Sequence, residues 1–306
     1  MRRKPTDRRV RGVSPALADN APVEFAFAID PAQGLSQEDE WACVRLGAEL
    51  GYHSAWTPGT ADASAFDRCL NWYRASGLAT GIAVVPASGQ PPEFYAQQAI
   101  RVWEECAGKF TLGLGSGQMA HSADHMVPSL SALRGLLPVE LPLYVAALGP
   151  RMLALAAETA AGVSLNWCSA EQVAWSRARV EQAARRTGRP VPLVAGYIRT
   201  AIDRDSANAA RVLGTAMQTY ALGPVAYRRH FERMGFAEEM DRQRRQSDAP
   251  SPEMLSAVGV WGQPGRGREH FLELAQDLDL AIVRVLVSTP GNSESARTVL
   301  QECRPD

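Results

Sequence analysis

The chain has 306 residues, of which 46% are hydrophobic and 21% charged, and its formal net charge is −1. This balance is typical of a soluble globular protein with a large core, and it gives no electrostatic basis for a nucleic-acid or membrane partner. Five cysteines are scattered without a Cys-x-x-Cys pair, which favours reduced thiols and a cytoplasmic location. His121 and His125 are four residues apart but have no third ligand nearby, so no metal site is predicted.

The predicted elements begin after a basic opening segment that lacks the apolar core of a signal peptide. We expect a disordered tail over residues 1–22 and a single domain over 23–306. Ser36 and Asp39 predict the start of the first helix, and Gly51 predicts its end. Apolar runs predict strands, in chain order, at 23–29, 54–58, 78–86, 109–117, 141–148, 163–167, 191–202 and 279–288.

The segments between these strands are predicted to be helical, and two of these segments have unusual lengths of helix. Residues 118–140 hold one short helical run, at 129–137, and a long helical block spans 204–277. Eight strands that are each followed by helix favour a closed (β/α)₈ TIM barrel over an open sheet. The sequence GLGSG at the fourth strand lacks the acidic partner of a dinucleotide-binding fingerprint, which also favours the barrel.

In a TIM barrel the active site lies at the carboxyl ends of the strands, which makes the residues there candidates. Asp30 follows the first strand, whereas Arg199 and Arg284 lie inside the last two. Either arginine could bind a ligand or simply complete a polar barrel interior. The segment AALGPRML combines a strand end, Gly149, Pro150 at a helix start and the charge of Arg151, which is suited to binding an anion.

Several segments together resemble the luciferase-like monooxygenase superfamily, and most closely its branch that uses the deazaflavin coenzyme F420. They are AELGYHSAWTP, TGIAVVP, KFTLGLGSG, LPLYVAALGPRMLALAAETAAGVSLNW and AYRRHFERMGF. The resemblance implies a TIM barrel that holds F420, or alternatively FMN, at the carboxyl-terminal mouth. It also implies a homodimer.

The resemblance assigns roles to individual positions. Ile82 and Ala83 match a strand bulge with a non-proline cis peptide behind the cofactor ring, and Gly59 faces that ring. The residues expected beside the ring are Gly115, Ser116, Gly117 and Gln118. Those expected at the cofactor's polar tail are Ala147, Leu148, Gly149, Pro150, Arg151 and Asn166.

The chain also departs from the family pattern. Related dehydrogenases often carry an acid and a histidine after the second strand, where this chain has Gly59 and Thr60. Alcohol oxidation needs a general base, and the acid and histidine that could supply it are missing here. This departure from the family pattern favours reduction of an activated C=C or C=N bond. His121 and Thr60 are the predicted proton donors, with Tyr197 or water as further sources.

The short segment 118–140 predicts an open site, which suits a bulky small-molecule or peptide-like substrate, a partner protein, or a neighbouring subunit that serves as a lid. The leading interpretation is therefore an F420-dependent reductase. The alternatives are an FMN-dependent monooxygenase and a catalytically silent barrel that acts as a binding or assembly subunit. For the arginine-rich segments YRRHFERM and DRQRRQS, a solvated or flexible insertion is the simpler interpretation, and closure over the anionic cofactor tail is the alternative.

Overall fold

The computed structural model describes residues 22–117, 122–246 and 248–306. The predicted N-terminal tail, apart from its last position, lies outside the described residues. Nine strands run through this part of the chain: β1 Glu24–Ala28, β2 Ser54–Thr57, β3 Ala79–Pro86, β4 Phe110–Gly115, β5 Leu143–Ala146, β6 Gly162–Asn166, β7 Leu193–Ile202, β8 Gly259–Gly262 and β9 Leu280–Leu286.

Eight of these strands close into a parallel barrel. Strands β1 to β7 pair in chain order, β7 also pairs with β9, and β9 pairs with β1. The predicted TIM-barrel class and all eight predicted strands are therefore confirmed.

Helices follow the barrel strands on the outside. They are α1 Gln37–Glu49, α2 Ser64–Ser76, α3 Pro92–Glu105, α4 Ser122–Leu136, α5 Pro150–Thr159, α6 Ala170–Thr187, α7 Ser206–Ala221, α8 Val225–Arg233, α9 Ala237–Gln246, α10 Pro252–Val258, α11 Arg268–Ala275 and α12 Ser293–Glu302. The predicted cap of the first helix is confirmed, because the Ser36 hydroxyl accepts the Asp39 amide at 3.1 Å.

Helix α4 is longer than the short run predicted at 129–137, and it contains Pro128. Proline in a helix interior removes one backbone hydrogen bond, which is why the sequence pattern breaks there. The helix nevertheless continues because Met126, Leu130 and Leu133, spaced by four and three residues, are buried against the outer core.

The predicted helical block 204–277 is wrong at residues 259–262, which form β8. This short strand pairs with Arg199–Ile202, the carboxyl-terminal part of β7, whereas β6 pairs with β7 only as far as Tyr197. Strand β8 therefore pairs with the end of β7 that extends beyond the pairing of β7 with β6. Together with α7 to α10 it packs a second apolar core against Trp167, Ala201 and Leu286, at the carboxyl ends of the barrel strands.

The barrel interior is packed by large side chains facing glycines. A Cβ at Gly81 would lie 2.5 Å from the Trp56 ring, and one at Gly162 would overlap the Tyr144 ring. The two aromatic rings meet with centroids 5.8 Å apart. The lower barrel is therefore solid, and chemistry is confined to the mouth above it. No helix within the described residues is long and apolar enough to cross a membrane.

Candidate functional site

Four polar side chains lie at the carboxyl ends of β1, β6, β7 and β9. Arg199 and Arg284 are register partners on β7 and β9, and they are only 2% and 7% exposed. Asn166 ends β6, and Asp30 follows β1. Parallel strands bring their carboxyl ends to one face, so these residues belong to the barrel mouth.

Arg284 forms an ion pair with Asp30. Its Nη2 donates to Asp30 Oδ2 at 2.5 Å, and its guanidinium lies 4.9 Å from the centroid of the Tyr197 ring. Burial is the largest single influence and raises the pKa of Asp30, but the Arg284 charge, the Ala32 amide and the hydrogen bond from Arg284 together outweigh it, so the pKa lies below its ordinary value. Asp30 is therefore an ionised partner of Arg284 and is poorly suited to act as a base.

Arg199 is held without any carboxylate in contact. Its Nη1 donates to Asn166 Oδ1 at 2.5 Å, and its guanidinium lies 4.0 Å from the Trp167 ring centroid and 5.0 Å from that of Tyr220. Burial, and then the Arg284 charge, lower its pKa to about 9, so it remains protonated at neutral pH. Its Nη2 has no hydrogen-bond partner among the described residues.

Trp167, directly beneath this guanidinium, has an unusual backbone. Its φ of 56° lies in the left-handed region, which a bulky residue rarely adopts. Its buried Nε1 also lacks a partner within the described part of the chain. Two of the four such atoms found there thus belong to the adjacent side chains of Trp167 and Arg199. Buried donors without a partner are rare in folded proteins, and a functional role is one of the reasons for them.

Tyr227 on α8 is joined to the same group of residues. Its hydroxyl oxygen accepts a hydrogen bond from Asn166 Nδ2 at 2.6 Å, and its ring meets Tyr220 edge-on at 4.7 Å. Asn166 therefore receives a hydrogen bond from Arg199 and donates one to Tyr227. Burial is the main cause of a raised Tyr227 pKa, so the hydroxyl keeps its proton at neutral pH.

His230 connects α8 to the barrel through a side-chain hydrogen bond. It is fully buried, its Nε2 lies 2.8 Å from the Trp167 carbonyl oxygen, and Arg233 approaches its Nδ1 at 3.3 Å. These contacts fit a neutral ring that donates from Nε2 and accepts at Nδ1. Burial lowers its pKa to about 4. The segment YRRHFERM is thus a helix with a solvated face, which includes the exposed Arg229, and a second face that packs against the mouth through His230 and Phe231.

The opposite side of the mouth is formed by β3. A bulge lies between Ile82 and Val85, and the non-proline cis peptide joins Ala83 to Val84. The bulge is where the resemblance places it, but the cis bond is one residue later than Ile82–Ala83. Tyr197 donates its hydroxyl proton to the Ala83 carbonyl at 3.2 Å, so this proton is already engaged.

Glycines make room for this part of β3. A Cβ at Gly59 would lie 2.8 Å from the carbonyl carbon and oxygen of Val84, and one at Gly115 would overlap the Val84 side chain. Glycine is therefore required after β2 by close packing, which excludes the acid that related dehydrogenases carry there.

The start of α5 fits the anionic end of a cofactor. Gly149 precedes the helix without a side-chain cap, and a Cβ there would meet nothing within 4 Å. Arg151 is exposed and pairs with Asp124 at 2.7 Å. Nearby, Ala147 is buried, and its amide donates a hydrogen bond to the Ser164 carbonyl oxygen. The Leu148 carbonyl oxygen accepts a hydrogen bond from Arg233. Free amides at a helix start, beside an arginine, are suited to phosphate.

The remaining predicted site residues are dispersed. Thr60 is exposed, and its hydroxyl donates to Asp62 Oδ1 at 2.6 Å, close to the start of α2. Ser116 and Gly117 follow β4 with partial or full exposure. Gln118 and His121 lie outside the described residues. Asn166 is engaged with Arg199 and Tyr227, whereas the resemblance assigned it to the cofactor tail.

Comparison with known proteins identifies the family. The family model described as luciferase-like monooxygenase matches residues 125–279, just over half of the chain. The protein belongs to the luciferase-like monooxygenase family. An oxidoreductase is thus its coarse functional class. No curated protein matches the sequence significantly.

Solved structures share the fold of this luciferase-like protein at low identity. The coenzyme F420 dependent tetrahydromethanopterin reductase from Methanopyrus kandleri is 16% identical, with a TM-score of 0.67 over 92% of this chain and 98% of that one. An F420-dependent secondary alcohol dehydrogenase in complex with an F420-acetone adduct is 12% identical, with a TM-score of 0.70 over 93% and 100%.

An FMN complex has a similar fold. The oxygenating constituent of 3,6-diketocamphane monooxygenase from the CAM plasmid of Pseudomonas putida is 13% identical, with a TM-score of 0.62 over 93% of this chain and 98% of that one. At these identities the likeness shows the fold alone.

Trp167, the last residue of a predicted strand, was already a candidate at the carboxyl ends of the strands. The sequence analysis missed Tyr227 and His230 as residues of the mouth, although their segment AYRRHFERMGF was among those that resemble the family. They lie in a helix more than sixty residues away from their partners Asn166 and Trp167. Which side chains of that segment reach the mouth depends on how the insertion packs, and the sequence does not show this.

Proposed function

We propose that this family member is an F420-dependent reductase that adds hydrogen across an activated C=C or C=N bond of a bulky substrate. In this proposal Tyr227 donates the proton. The residues at the start of α5, Gly149 to Arg151, bind the anionic tail of the cofactor, and its ring lies beside Val84 and Gly115. When bound, the reduced deazaflavin supplies the hydride.

The observation that carries the proposal is the direction of the hydrogen bonds from Arg199 to Tyr227. Arg199 donates to Asn166 Oδ1, and Asn166 Nδ2 donates to the Tyr227 oxygen. The Tyr227 hydroxyl proton therefore has no acceptor among the described residues and is available to a substrate. As the proton leaves, the amide donor and the nearby guanidinium stabilise the phenolate.

The surrounding residues favour reduction over alcohol oxidation, because none of the described groups at the mouth is a ready base. Asp30 is paired with Arg284. The ring of His230 is fully buried, with both nitrogens in contact. Thr60 is engaged with Asp62. Reduction needs a proton donor and a positioned substrate, which Tyr227 and the mouth can provide.

F420 is preferred over FMN because the sequence segments resemble the F420-dependent branch most closely, and because the described groups at the mouth favour reduction. The fold neighbours include both F420-dependent proteins and an FMN complex, so their likeness does not separate the two cofactors. FMN-dependent monooxygenation is the alternative function.

The test is a fluorescence titration of the purified protein with F420 and FMN side by side. We expect saturable F420 binding at micromolar concentration, weakened at least tenfold in Arg151→Ala. Arg179→Ala, on the outer helix α6, is the matched control. Preferential binding of FMN would support the monooxygenase, and binding of neither cofactor would support a catalytically silent barrel.

A further inference from the structure

Two buried guanidinium groups at the mouth have only one carboxylate to balance them. Arg199 and Arg284 are register partners on β7 and β9. In the described part of the chain, Asp30 contacts Arg284, and no carboxylate contacts Arg199. The three groups carry a net charge of +1 in a region that is largely removed from solvent. A buried charge without a counter-ion is strongly unfavourable unless a ligand compensates it.

The two unpaired donors belong to Arg199 and to Trp167, the ring on which its guanidinium stacks. Arg284 is neutralised by Asp30, whereas Arg199 contacts only an amide and two aromatic rings. Arg199 Nη2 and the neighbouring Trp167 Nε1 are both buried donors without a partner among the described residues. A group rich in acceptor oxygens would satisfy a donor of this kind, and a hydroxyl or amine substituent would do so less well.

We propose that the Arg199–Arg284 pair binds an oxyanion carried by the substrate, either a carboxylate or a phosphate. Asn166 is half-buried and bonded to Arg199, so it connects this group of residues with solvent. Tyr227, the proposed proton donor, is bonded to the same amide. An anionic substituent held at Arg199 would therefore lie one hydrogen-bonded residue away from Tyr227. The inference deepens the proposed function by naming the substrate class of the same site.

The cofactor tail is the other possible source of an oxyanion. The start of α5 already offers that tail a helix end and the exposed Arg151. Arg199 differs from it in being buried inside the barrel, stacked on Trp167. The two sites can be separated experimentally, because each contains its own arginine.

The test measures thermal unfolding with inorganic phosphate or succinate, against sodium chloride at matched ionic strength and with saturating F420 or FMN. We expect one of the two anions to raise the unfolding temperature by a few degrees, and the responding anion identifies a phosphate or a carboxylate substrate. Arg199→Met should weaken the apparent affinity at least tenfold. Arg151→Met should leave the response to the anion unchanged.

A second variant keeps the proposal testable if Arg199→Met fails to fold. Asp30→Asn removes the only carboxylate among the described residues that contacts either arginine, so the same anion should bind more tightly and stabilise this variant more than the wild type. The proposal is overturned if saturating cofactor abolishes the anion response, if the response depends on Arg151 instead of Arg199, or if neither anion stabilises the protein. These readouts do not require turnover, so failure of the proposed reductase activity would be distinguished from failure of the anion site.

Discussion

Arg199 and Arg284 are register partners on adjacent barrel strands, and within the described chain Asp30, bound to Arg284, is the one carboxylate in contact with either guanidinium group. Neighbouring strands lie about 5 Å apart, so like charges at register positions repel each other. The mouth tolerates this arrangement through stacking on Trp167, Tyr220 and Tyr197 and through one ion pair. A binding function explains why the interior is not simply apolar here.

We first predict that Asp30→Asn destabilises the protein by roughly 3 kcal/mol, at the low end of the range for breaking a buried ion pair because Asp30 is partly exposed. The substitution removes the ion-pair partner of Arg284, so that neither arginine contacts a carboxylate among the described residues. Urea unfolding at pH 7 would measure the loss. Asp124→Asn is the matched control, because its pair with Arg151 is exposed on both sides and should contribute less than about 1 kcal/mol. Equal effects of the two substitutions would contradict this electrostatic description.

Second, Tyr227→Phe should lower turnover about 10²- to 10⁴-fold, the usual contribution of a general acid, without weakening cofactor binding. The ring and its edge-on contact with Tyr220 are retained, so the fold should persist. Tyr73→Phe, on the outer helix α2, should leave turnover unchanged. Stopped-flow oxidation of the bound reduced cofactor by substrate would measure the step, and an unaltered rate in Tyr227→Phe would exclude it as proton donor.

Third, Gly59→Ala should destabilise the protein by about 1–3 kcal/mol, the usual effect of overpacking. The new methyl group would lie 2.8 Å from the Val84 backbone, which cannot rotate away. Gly135→Ala is the matched control, because its Cβ would meet nothing within 4 Å in α4, and it should be neutral or slightly stabilising. If chemical denaturation shows both variants to be as stable as the wild type, the close packing of β2 against β3 is wrong.

The barrel itself was predictable from the sequence because its strands are short apolar runs separated by well-marked helices, as at Ser36 with Asp39. Strand β8 was not, since it consists of four residues and is specified by its pairing with Arg199–Ile202. The mouth was partly predictable: Arg199 and Arg284 could be placed inside strands. The lack of a carboxylate beside Arg199 among the described residues could not be predicted. It depends on which side chains, including those from α7 and α8, cover the guanidinium group.

Gly59 is a second position at which the sequence alone suggests the wrong reason for a residue. In the sequence, a glycine where relatives carry an acid suggests a lost catalytic group. In the structure, the backbone of Val84 occupies the space that any side chain would need. Absence of the acid is therefore a packing requirement at this position. The bulge in β3 creates that requirement, and a bulge has no reliable local signal in the sequence.

Fourth, His230 should make the native state sensitive to acid. Its pKa in the folded protein is lowered to about 4 by burial, so the unfolded chain binds the proton more readily. Stability is fully retained above the unfolded pKa of about 6.5 and decreases as the pH falls towards 4, by roughly 3 kcal/mol in total.

His230→Gln keeps a donor for the Trp167 carbonyl but does not titrate. The difference in unfolding free energy between wild type and variant, measured by urea at pH 7 and pH 4.5, should therefore shrink or reverse at the lower pH. A pH-independent difference for His230→Gln would mean that the ring is not buried in its neutral form.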